Sequence, residues 1–100
     1  MGNKVSVSCG SHLDIQHANA LKERLVKALE KNPESFVING GKVERTDSAG
    51  VQLLFSFIRE ARQKDIDISW QKPSEELLRG VQILGMLESL ELQSFYGELR

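Results

Sequence analysis

The change of hydrophobic period along the chain most constrains its fold. Near the start, Val5, Val7 and Cys9 alternate with polar residues, which is the period of a half-buried strand. From Ile15 onward the apolar residues recur at helical spacing instead. Asn32-Pro33 ends that helix, because proline disfavours helical geometry in the residue before it. The sequence therefore predicts a strand followed by a helix.

The succession of strand and helix occurs twice more. The apolar run 36–38 predicts a strand buried on both faces, and a long helix is expected from about Ser48 to Gln63. Residues 66–70 alternate again and predict a third strand, which precedes a helix capped by Ser74. This order predicts a compact α/β fold with some parallel pairing, in one domain over residues 1–100.

Charge and composition argue against several functional classes. The 13 Lys+Arg and 14 Asp+Glu are interspersed and leave a formal net charge of -1, so no basic surface for nucleic acid is expected. A single cysteine, Cys9, excludes an internal disulfide and fits a reducing compartment. No window is apolar enough for a membrane span, so we expect a cytoplasmic protein without membrane insertion. His12 and His17 lack ligands at metal-binding spacing, and neither a metal nor a cofactor is expected.

The long second helix carries two continuous surfaces. On a wheel of about 100° per residue, its apolar residues fill an arc roughly 200° wide, which is broader than one sheet contact requires. We expect a neighbouring helix to cover the edge of this arc; the alternative is an exposed apolar rim at Leu53 and Phe57. The opposite arc is polar and includes Ser48, Gln52, Ser56 and Arg59.

Asp47 and Ser48 lie where loop becomes helix. Either side chain can act as the N-cap and accept hydrogen bonds from the free amides of the first turn. The same place also suits a phosphate on Ser48, close to those donors and to the positive end of the helix dipole. Such a phosphate adds about two negative charges beside Asp47. Phosphorylation would then leave the fold intact while repelling a partner.

Residues 43–51, Val-Glu-Arg-Thr-Asp-Ser-Ala-Gly-Val, resemble the Asp-Ser-[Ser/Thr/Ala]-Gly-Leu loop of STAS domains, found in bacterial anti-sigma factor antagonists and sulfate transporters. Residues 13–15 look like the family's entry to its first helix, 36–38 like its central strand, and 68–85 like its last strand, Pro-Ser turn and third helix. The resemblance implies a STAS-like fold, a mixed β-sheet with helices packed mainly on one side. Only one clear strand precedes the first helix, so the first strand of the family's hairpin is expected to be missing or very short. Asn39 stands where many members carry aspartate.

In the antagonists, the residue after the loop aspartate is phosphorylated by a kinase that is itself the anti-sigma factor, and only the unphosphorylated form binds it. That position here is Ser48. The resemblance thus implies a non-catalytic protein-interaction module whose partner is an anti-sigma factor with serine kinase activity. Together with the polar arc of the helical wheel, the resemblance predicts a partner-binding surface made of Asp47, Ser48, Ala49, Gly50, Gln52, Ser56 and Arg59.

A second interpretation rests on residues 70–74 and 84–86. These look more like small stand-alone STAS proteins of chemotaxis operons, and like the STAS subunit of the maintenance-of-lipid-asymmetry transporter. The chain would then be a constitutive subunit bound to a chemotaxis kinase or a transporter ATPase subunit, without phosphorylation of Ser48.

An enzyme is not expected. The run Asp47-Ser48-Ala49-Gly50 resembles a serine nucleophile elbow, but that motif needs glycine two residues before the serine, where Thr46 stands. We therefore predict no catalytic residue.

Overall fold

The computed structural model describes residues 3–98, in which strands and helices alternate along the chain. The elements are β1 Lys4–Ser8, β2 His12–Leu13, α1 Ala18–Leu29, β3 Ser35–Asn39, β4 Arg45–Thr46, α2 Ser48–Gln63, β5 Asp67–Gln71, α3 Glu75–Ile83 and α4 Gln93–Glu98. The predicted α/β fold is confirmed. Among these helices, none is both long and apolar enough to cross a bilayer.

The strands form two parallel sheets. In the larger sheet β3 lies between β1 and β5, and in the smaller one β2 pairs with β4. Every pairing among the described strands is parallel, whereas a mixed sheet was expected. The difference follows from the connections, because α1 and α2 each link one strand of the larger sheet to the next, and such crossovers give parallel pairs. The antiparallel partner that a family hairpin would supply does not occur within residues 3–98.

The larger sheet has one apolar face and one polar face. The apolar face meets the helices and carries Val5, Val7, Phe36, Ile38, Ile68 and Trp70. On the other face Ser6 and Ser69 flank Val37 and are exposed. The expectation of a strand buried on both faces thus holds for Val37 itself, which is 9% exposed but outside the core cluster, and not for the face around it. Helices pack on one side, as the resemblance implies.

Helix α1 begins three residues later than its apolar spacing suggests. A carboxylate oxygen of Asp14 accepts hydrogen bonds from the backbone N–H of His17 at 3.1 Å, so residues 14–17 form a turn. Ile15 consequently lies outside the helix and is 67% exposed, although its spacing places it on the buried stripe. This part of the helix prediction was wrong, because a local side-chain bond outweighs one apolar position.

The other helix boundaries agree with the sequence. Helix α2 spans Ser48–Gln63 as predicted. Ser74 caps α3, accepting from the N–H of Leu77 at 3.0 Å, and its hydroxyl also donates to the carbonyl of Val43 at 2.7 Å. The cap therefore also fixes α3 to the loop that leads towards β4.

Two contacts attach the segment after α3 to the rest of the molecule. The indole N–H of Trp70 donates to the carbonyl oxygen of Leu90 at 2.8 Å, inside the core. Arg62, the one charged residue in the apolar arc of α2, makes a two-bond ion pair with Glu91. The neighbouring Leu92 is fully buried, so this segment closes one end of the core.

Two glycines let helices approach the smaller sheet at backbone distance. A Cβ atom at Gly50 in α2 would collide with the main-chain carbonyl of Leu13 in β2. A Cβ atom at Gly80 in α3 would collide with Oγ1 of Thr46 in β4. The two-residue strands are thus held between α2 and α3.

These contacts predict an order of sensitivity to alanine. Gly50→Ala should lower the free energy of unfolding by about 1–3 kcal/mol, because a main-chain carbonyl cannot rotate away. Gly80→Ala should cost less, since Thr46 can change rotamer. Gly97→Ala, with nothing within 4 Å of the added carbon, should be neutral or stabilising by up to about 1 kcal/mol. Urea denaturation measures all three, and a Gly50 variant as stable as the Gly97 variant would contradict the close approach.

Cys9 offers a second check on the packing. Burial raises the pKa of its thiol to about 12, so the thiol stays protonated at neutral pH and is shielded from reagents. We expect the native protein to resist labelling by a chromogenic disulfide reagent at pH 8, and urea to make Cys9 react at once. Rapid labelling without urea would show that the region around β1 opens far more readily than its burial indicates.

Candidate functional site

The carboxylate of Asp47 joins two parts of the chain at the start of α2. One oxygen accepts from the backbone N–H of Gly50 at 2.9 Å, and the other accepts from the N–H of Ile15 at 3.0 Å. The N–H of Asp47 donates to the carbonyl of Leu13 at 3.0 Å. Asp47 has extended backbone geometry and is the N-cap. Of the two capping candidates, the structure selects Asp47.

Ser48 is therefore free of the capping role. It is the first residue of α2, and it is exposed. Its hydroxyl lies beside the first-turn amides, at the positive end of the helix dipole. A modifying enzyme or a partner can reach this side chain without unwinding the helix.

The polar arc of α2 continues from Ser48 along the exposed side of the helix. Gln52, Ser56 and Arg59 are all exposed, and with Ser48 they form the polar stripe. Ala49 is half-buried, and Gly50 is buried against Leu13. Gly50 thus shapes this surface through the close approach of α2 to β2 rather than through a contact of its own.

The polar stripe meets the C-terminal segment at Gln52. Its side-chain amide lies 3.6 Å from the sulfur of Met86, which is half-buried. This neighbour could not be predicted from local sequence, because the two residues are 34 positions apart. Met86 extends the surface on the side away from α1.

A polar hollow of about 390 Å³ lies beside the Asp47–Ser48 turn. Its lining comes from His12, residues 14–17 and residues 45–47, which the pairing of β2 with β4 brings together. The rings of His12 and His17 stack there with centroids 5.1 Å apart. Arg45 adds a guanidinium group to the same hollow.

A hydrogen bond within the hollow fixes the turn before α1. Nδ1 of His17 lies 2.6 Å from a carboxylate oxygen of Asp14, and this bond lowers the pKa of the Asp14 carboxyl below its ordinary value. Asp14 therefore remains ionised at neutral pH. Over residues 3–98, no group of three His, Cys, Asp or Glu side chains has the arrangement of a metal site.

The stacking of His12 on His17 could not be predicted from the sequence. In the structure His17 is exposed and His12 is half-buried. Two-residue strands leave no period to detect, so their pairing, and with it the hollow, could not be predicted.

Comparison with known proteins identifies the family and the fold. The family model described as "Mlab, STAS domain" matches residues 1–93. No curated protein matches the chain significantly. The solved structure of the anti-sigma factor antagonist SpoIIAA in its unphosphorylated form is similar in fold, with a TM-score of 0.68 at 18% sequence identity, over 86% of this chain and 76% of that one. The chain belongs to the STAS domain family.

Proposed function

We propose that this chain is a non-catalytic protein-interaction module of the anti-sigma factor antagonist type. Its partner binds the surface made by Asp47, Ser48, Ala49, Gly50, Gln52, Ser56 and Arg59. The proposal rests on one observation at the start of α2. Asp47 caps the helix, and Ser48 is exposed and is not needed for the cap. A serine with no structural duty, at the head of an exposed polar stripe, is suited to recognition.

Phosphorylation of Ser48 would act on the partner rather than on the fold. A phosphate there removes no capping bond, and it gains from the helix dipole. It also places about two negative charges next to the Asp47 carboxylate, on the surface that the partner covers. The unphosphorylated form would bind and the phosphorylated form would not.

Ile15 supplies an apolar anchor for this surface. It is 67% exposed, and its backbone N–H is bonded to Asp47, so its position is tied to that of Ser48. Interfaces concentrate their binding energy in a few apolar or aromatic side chains surrounded by polar contacts. We add Ile15 to the proposed partner-binding surface.

The second candidate is a constitutive STAS subunit of a lipid-transport or chemosensory assembly. The description of the matching family model, "Mlab, STAS domain", favours it. The same surface would then bind a transporter ATPase subunit or a chemotaxis kinase, and Ser48 would be a contact residue only. In either case we propose that the chain is one domain, which the continuous hydrophobic core of the described residues supports, and that it acts in the bacterial cytoplasm.

A phosphate-transfer assay separates the two candidates. The probe is any serine kinase encoded in the gene neighbourhood of this chain, supplied with radioactive ATP, and the Ser48→Ala variant is the control. Labelling of the wild type that is lost in the variant supports the switch. A kinase that binds the chain without labelling it supports the constitutive subunit.

Ser48→Asp should weaken binding of the neighbouring kinase or ATPase at least about tenfold, or 1.4 kcal/mol, because the new carboxylate meets the partner directly. Ser94→Asp is the matched control, since it adds the same charge to an exposed serine in the first turn of α4. Isothermal titration calorimetry gives both affinities. Equal affinities for the two variants would place the partner elsewhere on the molecule.

The cap and the contact can be separated by stability. Asp47→Ala should lower the free energy of unfolding by about 1–2 kcal/mol, because it leaves two backbone N–H groups without their acceptor. Ser48→Ala should change it by no more than about 0.5 kcal/mol. Both are measured by urea denaturation. A Ser48→Ala variant as unstable as Asp47→Ala would assign part of the cap to Ser48.

A further inference from the structure

An apolar groove of about 210 Å³ runs between α1 and α2. Buried side chains, Leu25 and Phe57 among them, form its floor, and Val26 and Leu53 form its walls. Helix α1 packs against the edge of the broad apolar arc of α2, as expected, and Phe57 is only 6% exposed. Leu53 stays half-exposed. Part of the apolar arc of α2 is therefore not covered by α1 and opens into this groove. We call the space between the two helices the α1–α2 groove.

The wall formed by α1 has a charge at each end of an exposed apolar residue. Val26 is 44% exposed, Lys22 lies one turn before it and Glu30 one turn after it. Residues four apart share a helix face, so this face reads positive, apolar, negative along the axis. A two-fold rotation about an axis through Val26 reverses the order and places each positive end against a negative one.

The charges next to α2 add to the same order, with net negative charge at the Glu30 end of the groove. Glu60 lines the groove, and Glu30, Glu60 and Lys64 line its continuation of about 350 Å³. The end of the groove near Glu30 therefore carries one net negative charge, and the opposite end carries Lys22. The ion pairs within the described chain use other residues, so these four charges are open to an external counterpart.

We propose that the α1–α2 groove docks a second copy of this chain, with the two α1 helices antiparallel. Val26 of each copy contacts the apolar groove of the other, and Lys22 of each faces Glu30 and Glu60 of the other. A two-fold interface requires a surface complementary to itself, and the order of charges along the groove has this property. Ser48 does not line the groove, and the dimer does not depend on the function proposed above.

Sedimentation equilibrium tests the dimer from about 1 µM to about 1 mM protein, the usual range of modest affinities. The wild type should pass from one copy to two as concentration rises. Val26→Asp should raise the dissociation constant at least about tenfold, because it buries an unpaired charge. Ile83→Asp is the matched control, since Ile83 is 80% exposed on α3 and lines neither the groove nor its continuation. That variant should dimerise as the wild type does.

Charge reversal tests the antiparallel arrangement. Lys22→Glu and Glu30→Lys should each weaken the dimer about tenfold, and the double variant should restore part of the affinity, because the contacts between positions 22 and 30 are then reversed on both sides while Glu60 stays acidic. Both changes suit the dipole of α1, with the acid nearer its N-terminus and the base at its C-terminus, so folding is preserved. Lys27→Glu, an exposed lysine outside the groove, is the control and should have no effect.

Several outcomes would overturn the proposal. A wild type that stays single over the whole range does so, and if Val26→Asp then abolishes binding of the kinase or ATPase, the groove belongs to that partner. An unchanged dissociation constant for Val26→Asp places the dimer contact elsewhere. Failure of the double variant to recover excludes the antiparallel arrangement. Ser48→Asp should leave dimerisation unchanged, so failure here is separate from failure of the proposed function.

Discussion

The bridge made by the Asp47 carboxylate sets the geometry of the surface on which the proposed function rests. One oxygen holds the first turn of α2, and the other holds Ile15, which is 32 residues earlier. The start of α2 and the loop before α1 are thereby fixed to each other, and in that arrangement Gly50 lies close to the backbone of Leu13. A capping residue that elsewhere stabilises one helix here aligns two segments of the chain.

Much of the architecture could be predicted from periodicity because its elements are long. The predictions of helix α2 and of the cap at Ser74 were correct, since sixteen residues of regular spacing and a serine before two glutamates are strong local signals. The strands β2 and β4 were missed, because two residues have no period and their pairing joins distant parts of the chain. Ile15 was assigned to the helix on spacing alone. The hydrogen bond between Asp14 and His17 instead forms a turn there, and the helix begins at Ala18.

The candidate site divides in the same way. The exposed face of α2 follows from the wheel, which depends only on local order. The choice of Asp47 over Ser48 as the cap could not be predicted in this way, because both residue types serve equally well as caps. The second bond that the Asp47 carboxylate accepts is donated by the backbone N–H of Ile15, which is distant in sequence. Met86 and the stacked histidines belong to contacts that only the folded chain creates.

Helix α2 presents two different surfaces side by side. Its polar stripe starts at Ser48, whereas its apolar edge contributes to the α1–α2 groove, and Ser56 belongs to both. A flat polar surface and a groove with charged ends favour different kinds of partner, because one is read by hydrogen bonds and the other by shape and burial. The breadth of the apolar arc, which exceeds the needs of the sheet, is what gives the helix this second surface.

The contacts at Gly50 and Gly80 have a consequence for binding entropy. They confine the smaller sheet between two helices, so the turn that carries Ser48 has little freedom to lose when it is covered. Ordering a mobile loop would subtract roughly 0.5–1.5 kcal/mol per immobilised side chain from the free energy of association. A turn already fixed by its neighbours avoids most of that cost, and differences in affinity among partners would then arise mainly from how fast each one dissociates.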